Sequence, residues 1–345
     1  MIIIKNQQKL LLYGFLICFV LISPTLFNNT NSLKTQTSDH KDYKIEPSET
    51  SKKIVASNTI IQDIVENVVG EGIDVIVSGA EDPHSYEPTS SEVEALDNAD
   101  IIFRLGLENV EPWWESDWES GTTVIELIDN NMLEEDPLIG VKNPHIWMNP
   151  ENIKNFTRQI NHTMVNEDPP NADDFSSNTD TYIDILNDLL TEIQDAKSDM
   201  QDLKVVVNHP AFFYFFNLLD IERLATIEKG EGKEPSAEDI AEIISKAQDE
   251  EADLVVANPQ HQSENVYEIA RESDLKIALL TPLLNVKVEW DGETKTIDTY
   301  EKMIQYDLWA LQNPSEPPLI LWPVYLIIGI IVVAIIGVLI YLRRR

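Results

Sequence analysis

The chain has 345 residues and carries 60 Asp and Glu against 25 Lys and Arg, a formal charge of −35. A surface that acidic repels the nucleic-acid backbone, which excludes nucleic-acid binding, and it gathers cations without creating a specific site for any of them. With Cys18 as the single cysteine, neither a disulfide framework nor a thiolate metal centre is available, so a metal here has to be held by His, Asp or Glu.

In chain order, residues 1–27 contain the apolar run Leu10 to Phe27 after Lys5 and Lys9, the layout of a signal peptide or N-terminal anchor. Phe15, Leu16 and Ile17 precede Cys18 where a lipid-modified cysteine needs small residues, which speaks against lipid anchoring. Residues 28–51 are polar, lack apolar periodicity and read as a tether. From Lys52 the chain alternates short β-branched runs with helical patterns: KKIVAS, TIIQDIVENVVG, IDVIVSG, SSEVEALDNA, DIIFRLG and TTVIEL. The alternation recurs as KVVVNH, IERLATI, PSAEDIAEIISKAQDE, DLVVANP, ENVYEIARES and LKIALLTP. Such alternation predicts an α/β fold with two lobes and mostly parallel sheets, 52–172 and 204–313.

Between the lobes, residues 173–203 lack proline and glycine and repeat Tyr182, Ile185, Leu186, Leu189, Leu190 and Ile193 at helical spacing, which predicts one long joining helix. After a proline-marked spacer at 314–318, the 24 residues 319–342 are apolar or nearly so and are followed by three arginines at 343–345. That length suits a transmembrane helix across about 30 Å of hydrocarbon, with Trp322, Tyr325 and Tyr341 near its ends. Arg343, Arg344 and Arg345 form a cytoplasmic basic tail, and Lys5 and Lys9 share that preference, so the lobes are expected on the extracytoplasmic side of the cell membrane.

Three of the six histidines have similar surroundings: EDPHSYEP, NPHIWMNP and VVVNHPAFFYFF. His84 follows IDVIVSG by a few residues and His209 ends KVVVNH. Open α/β sheets bind ligands beyond the carboxyl ends of their strands, so both face such a crevice. His145 comes from the loop of the first lobe nearest the joining helix. Three neutral imidazoles suit a borderline cation such as zinc, taken by tetrahedral N and O ligands. A histidine in a loop is also commonly an exposed polar residue, and on the residues alone both readings stand. His40 and His162 read as surface residues; His261, after DLVVANPQ, is a reserve ligand.

The segments GAEDPHSYEPTSSEVEALDNADIIFRLGLENVEPWW, NPHIWMNPENI, VVVNHPAFFYFF, EKGEGKEPSAEDIAEII, VVANPQHQSENVYEIAR and ALLTPL fall in order between Lys52 and Asn313. Together they resemble the zinc and manganese solute-binding proteins of ABC importers, the TroA-like superfamily, in its zinc-type branch. The resemblance implies two α/β lobes on a rigid helix, one divalent metal at their interface, and delivery to an ABC permease with its ATPase subunit. It puts His84, His145 and His209 in the places of the first three ligands, and a histidine at the third place points to Zn2+ rather than Mn2+. Many members carry a ligating aspartate where this chain has Thr281, a poor zinc ligand. The fourth position then falls to water or to a carboxylate such as Glu81, Asp82 or Glu228. Asn143, Asn149 and Asn258 replace frequent carboxylates near the site, and amide oxygens still accept from an imidazole N–H. Where many zinc members have a His-rich loop, this chain has LIDNNMLEEDPLIGVKN, with Glu134, Glu135 and Asp136 as its only metal-attracting cluster. Trp113 or Trp114 is expected to pack into the first lobe, and FFYFF (212–216) to start a helix after His209 and bury its rings around the site.

A monomeric, membrane-anchored receptor that hands metal to a permease is therefore expected, and no enzyme. The alternatives are a surface adhesin or sensor with a structural metal, and a zinc hydrolase, for which no HExxH signature is present.

Overall fold

The computed structural model describes residues 43, 45, 50–70, 72–79, 83–115, 118, 121–228, 234–260, 263–318 and 322–344. The signal segment with Cys18, most of the tether, Glu81, Asp82 and His261 lie outside the described residues.

The first lobe starts with β1 (Ile54–Asn58), every residue of which is buried. Asn58 then caps α1 (Thr59–Val69) by accepting from the Ile61 N–H, which answers one of the four orphan donors at a helix start. The chain continues through β2 (Asp74–Val77), α2 (Ser90–Asp97), β3 (Ile101–Arg104) and β4 (Thr123–Glu126). These strands form one parallel sheet in the order β2-β1-β3-β4. A short antiparallel hairpin of β5 (Glu135–Asp136) and β6 (Val141–Lys142) leads to α3 (Pro150–Glu167).

Helix α4 (Ala172–Met200) runs 29 residues and turns Phe175, Tyr182, Leu186, Leu189 and Ile193 inward. It delivers the chain to β7 (Lys204–Val207), α5 (Phe213–Leu219), β8 (Glu222–Thr226), α6 (Ala237–Asp249), β9 (Leu254–Ala257), α7 (Glu264–Glu272) and β10 (Lys276–Leu279). The second sheet is also parallel, ordered β10-β9-β7-β8. Relabelled from its own first strand this is the order of the first lobe, so the two lobes share a topology. An antiparallel hairpin, β11 (Val286–Trp290) and β12 (Glu293–Ile297), and α8 (Tyr300–Gln312) close the second lobe.

Side chains alternate across each strand, so each sheet has two faces to bury. Ile54, Ala56, Ile101 and Phe103 from the first sheet and Val205, Val207, Leu254 and Val256 from the second enter one continuous core that also holds the inward face of α4. The outward faces make separate clusters, one of which holds Val55, Ile76, Ile102 and Trp113 with Trp114 and Trp118 against it. The tryptophans thus pack on the first lobe. A core that runs unbroken from lobe to lobe through a long helix makes hinge motion costly, because opening the lobes would expose apolar surface.

Asp63 sits within the buried face of α1. Its carboxylate accepts from the Tyr300 N–H at 3.1 Å and the Tyr182 hydroxyl at 3.4 Å, tying α1 to α8 and α4. Burial pushes its pKa up to about 7, against the lowering effect of those hydrogen bonds. The folded state then holds a proton that the unfolded state releases near pH 4, so this group's contribution to stability falls as pH rises from about 4 to 7. Asp63→Asn removes the titration. Its stability relative to the parent is expected to grow across that window by up to about 4 kcal/mol, read from urea unfolding at the two pH values; a pH-independent difference contradicts the assignment.

After α8 the spacer is pinned. Ser315 bridges Ile277 on the edge of β10, with both N–H to carbonyl bonds at 2.8 Å. The last helix, α9 (Trp322–Arg344), follows, and its described side chains are exposed, among them Ile330, Val333, Val338 and Leu342. Among the described residues, no helix is long and apolar enough to cross a membrane, so the transmembrane helix expected at 319–342 is not supported by the structure.

Candidate metal centre

His84 lies on a short turn, Pro83–Ser85, beyond the carboxyl end of β2. The turn is held against the start of α2, where the Thr89 N–H donates to Glu92 at 2.7 Å and Tyr86 donates to the same carboxylate. His209 lies two residues past the end of β7 and has an extended backbone. In that sheet β7 and β9 are neighbours whose crossovers leave in opposite directions, the place where such sheets open a crevice. His145 arrives from β6, just before the Pro150 that begins α3.

The three side chains converge. One ligand atom from each of His84, His145 and His209 lies within 4.8 Å of those of the other two. The ring centroids stand 5.0 Å apart for His145 and His209, 5.7 Å for His84 and His145, and 6.2 Å for His84 and His209. Nε2 of His145 and Nε2 of His209 are 3.2 Å apart. Two nitrogens bound to a tetrahedral ion at about 2.0–2.1 Å stand about 3.3 Å from each other, so the spacing fits such an ion.

Each imidazole meets an acceptor on its other nitrogen: the Asn109 carbonyl for His84 at 2.5 Å, Asn143 Oδ1 for His145 at 3.0 Å, and Glu228 Oε2 for His209 at 2.9 Å. An acceptor at Nδ1 fixes the proton there, directs the Nε2 lone pair to the common point and raises its basicity. Three lone pairs facing one another repel unless a cation or a proton sits between them. Burial, with His209 and His84 alongside, holds the His145 pKa well below the usual imidazole range, so the ring is neutral at physiological pH.

Several sequence-predicted residues take other roles. The carboxylate of Glu228 stands behind His209, at its Nδ1, and not among the converging atoms. Thr281 is fully buried; its hydroxyl donates to the Leu283 carbonyl at 2.9 Å and accepts from Gln260 Nε2 at 3.2 Å. Its backbone N–H goes to Asp307 at 2.8 Å. The hydroxyl is thus engaged by its own turn and by Gln260. Asn258 is buried, and among the described residues its Oδ1 has no hydrogen-bond donor. Asn149 caps α3, accepting from the Glu151 N–H at 2.9 Å, so its amide serves the helix end and not a histidine. Asn143, by contrast, touches His145 directly. His162 is exposed on α3.

Asp136 does not belong to an exposed metal-attracting cluster. It is fully buried and paired through both oxygens with Arg223 of β8, each contact 2.9 Å. Burial raises its pKa, but hydrogen bonding and charge from Arg223, together with the Asn143 amide, outweigh that and hold the carboxyl below its usual value. FFYFF buries all five rings, and the Tyr214 hydroxyl donates to the Asn143 carbonyl at 2.9 Å.

Two parallel α/β lobes of one topology, a long joining helix and a crevice with converging imidazoles define a two-lobed binding protein. A family model described as "ZnuA: Zinc-uptake complex component A periplasmic" matches residues 54–313, and the chain belongs to that family. The family comprises substrate-binding components of ABC transporters, not enzymes. Among curated relatives, the metal ABC transporter substrate-binding lipoprotein SsaB of Streptococcus sanguinis is 25% identical over 311 residues, 86% of this chain and 96% of that protein. The manganese ABC transporter substrate-binding lipoprotein PsaA of Streptococcus mitis is 27% identical over 272 residues, 74% of this chain and 86% of that protein. The crystal structure of ZnuA superposes with a TM-score of 0.67 at 24% identity, covering 77% of this chain and 99% of that one, a likeness of fold.

Proposed function

We propose that the chain captures one divalent metal ion, zinc in preference to manganese, with His84, His145 and His209, and delivers it to an ABC permease served by an ATPase subunit. The observation that carries this reading is the convergence of three imidazoles from both lobes, with His145 and His209 presenting Nε2 atoms 3.2 Å apart. Nitrogen ligands suit zinc, whereas manganese favours carboxylate and carbonyl oxygen. Among the described residues no carboxylate joins the cluster. PsaA, named for manganese, supplies the competing choice. The fourth ligand is water or one of Glu81 and Asp82.

The receptor acts as a monomer on the extracytoplasmic face of the membrane. Its lobes are residues 52–172 and 204–313, joined by the helical segment 173–203. Anchorage through the segment 319–342 rests on the sequence alone, on its apolar run and on the arginines that end it. Anchoring keeps the receptor at high effective concentration beside the permease, so a modest affinity suffices.

Titrating the purified chain with zinc and with manganese by calorimetry tests the metal choice. Zinc binding at least about tenfold tighter is the expected result, from ligand type. Equal or tighter manganese binding contradicts it and points to an oxygen ligand from residues 81–82.

A further inference from the structure

Asn143 sits where three connections meet. Its Oδ1 accepts from the His145 backbone N–H at 3.0 Å and lies 3.0 Å from Nδ1 of the same ring. Its Nδ2 donates to Asp136 Oδ2 at 3.0 Å and to the Pro210 carbonyl at 2.8 Å. Pro210 is the residue after His209, and Asp136 is gripped by Arg223 of the second lobe. Asn143 and Asp136 are both fully buried, which leaves water no access to replace these bonds.

We propose that Asn143 is a positioning residue that couples His145 to His209 across the lobe interface, and that this site requires an amide there. The proposal rests on the reading of these histidines as metal ligands. An amide offers a carbonyl acceptor and two N–H donors, and this one uses both kinds: the acceptor holds His145, while the donors hold Asp136 and the carbonyl beside His209. An ionised carboxylate only accepts. Aspartate at 143 therefore leaves Pro210 without its donor and sets a second anion about 3 Å from Asp136, which cannot retreat because Arg223 holds both its oxygens. The substitution that brings position 143 to the aspartate frequent among the proteins this chain resembles is thus the damaging one here. Asp136 and Arg223 determine which residue position 143 accepts.

The test compares the purified full chain with Asn143→Asp, Asn143→Ser and the double variant Asn143→Asp with Asp136→Asn. Zinc affinity is read by calorimetry, and the ligand field by the visible absorption of bound cobalt(II). Asn143→Asp keeps an acceptor for His145 but loses the donor to Pro210 and sets a second anion beside Asp136; the resulting displacement of both histidines is expected to cost about tenfold in zinc affinity, the low end of the range for disturbing a ligating histidine's partner, and to change the cobalt spectrum. Asn143→Ser removes both the Oδ1 acceptor of His145 and the Nδ2 donors without adding charge, and is expected to change the spectrum with a loss of at least about tenfold. The double variant restores one amide and one carboxylate in exchanged places and is expected to recover at least about threefold of the loss. Zinc affinity within threefold of the parent and an unchanged cobalt spectrum in Asn143→Asp and Asn143→Ser overturn the proposal, and a His84→Ala variant that still abolishes binding then leaves the metal reading intact. A parent chain that binds neither zinc nor cobalt overturns both.

Discussion

His145→Ala is expected to lower zinc affinity at least about 100-fold while leaving the fold in place. The first-sphere loss should exceed the 10–100-fold typical of removing a mere partner of a ligating histidine. His145 is the buried member of the three, 3% exposed, with its ring 5.0 and 5.7 Å from the other two. Without it the site offers two nitrogens from half-buried rings, and a tetrahedral ion has to complete its sphere with two waters or oxygens. The fold should survive because Trp147 keeps its own anchors: its Nε1 donates to the Pro282 carbonyl at 2.9 Å, and its carbonyl accepts from the Tyr300 hydroxyl at 2.7 Å. Calorimetry reports the affinity, and the unfolding midpoint of the metal-free chain reports the fold. A variant that binds zinc like the parent removes His145 from the ligand set.

Arg223→Ala is expected to destabilise the chain by about 3–5 kcal/mol, the cost of leaving a buried charge uncompensated. The Arg223 and Asp136 side chains are 6% and 0% exposed, and the guanidinium also lies over the Phe213 ring, 4.7 Å from its centroid. Replacing both partners by apolar residues, Asp136→Leu with Arg223→Met, should recover most of that loss, because a buried pair contributes little beyond its desolvation. Because the Asp136 pKa is lowered in the fold, the pair's contribution is present at neutral pH and lost as pH falls through that lowered value. Urea unfolding of the single and double variants between neutral and acidic pH reads both effects. A single variant as stable as the parent would show that water reaches Asp136.

The architecture was legible because each buried strand is a run of β-branched residues followed by a helical period, and Ile54, Val55, Val205 and Val206 read the same way in sequence as in the sheets. His84 and His209 were placed by a general property of such sheets, that loops at the carboxyl ends line the crevice. The β11–β12 hairpin was harder to see, because β12, Glu-Thr-Lys-Thr-Ile, is polar but for its last residue and buries only that one. Its signal is the Asp291–Gly292 pair, whose φ values of 55° and 78° suit the tight turn that joins such strands.

Partner choice was not legible. Asparagines at 143 and 149 look alike in NPHIWMNP, yet one holds a histidine and the other a helix end. Which of them faces the site depends on where Pro150 starts α3. In the same way Asp136 reads as one more carboxylate in an acidic loop, and only the approach of β8 from the other lobe makes it the partner of a buried arginine.

The central claim is that one ion is held by imidazoles from both lobes. X-ray absorption at the zinc K-edge, recorded on the purified chain loaded with one equivalent of zinc, tests it most directly. Three imidazole ligands at about 2.0 Å with one additional light atom is the result expected. A spectrum with one imidazole or none, or one dominated by carboxylate oxygen, contradicts the assignment of His84, His145 and His209 as the metal centre.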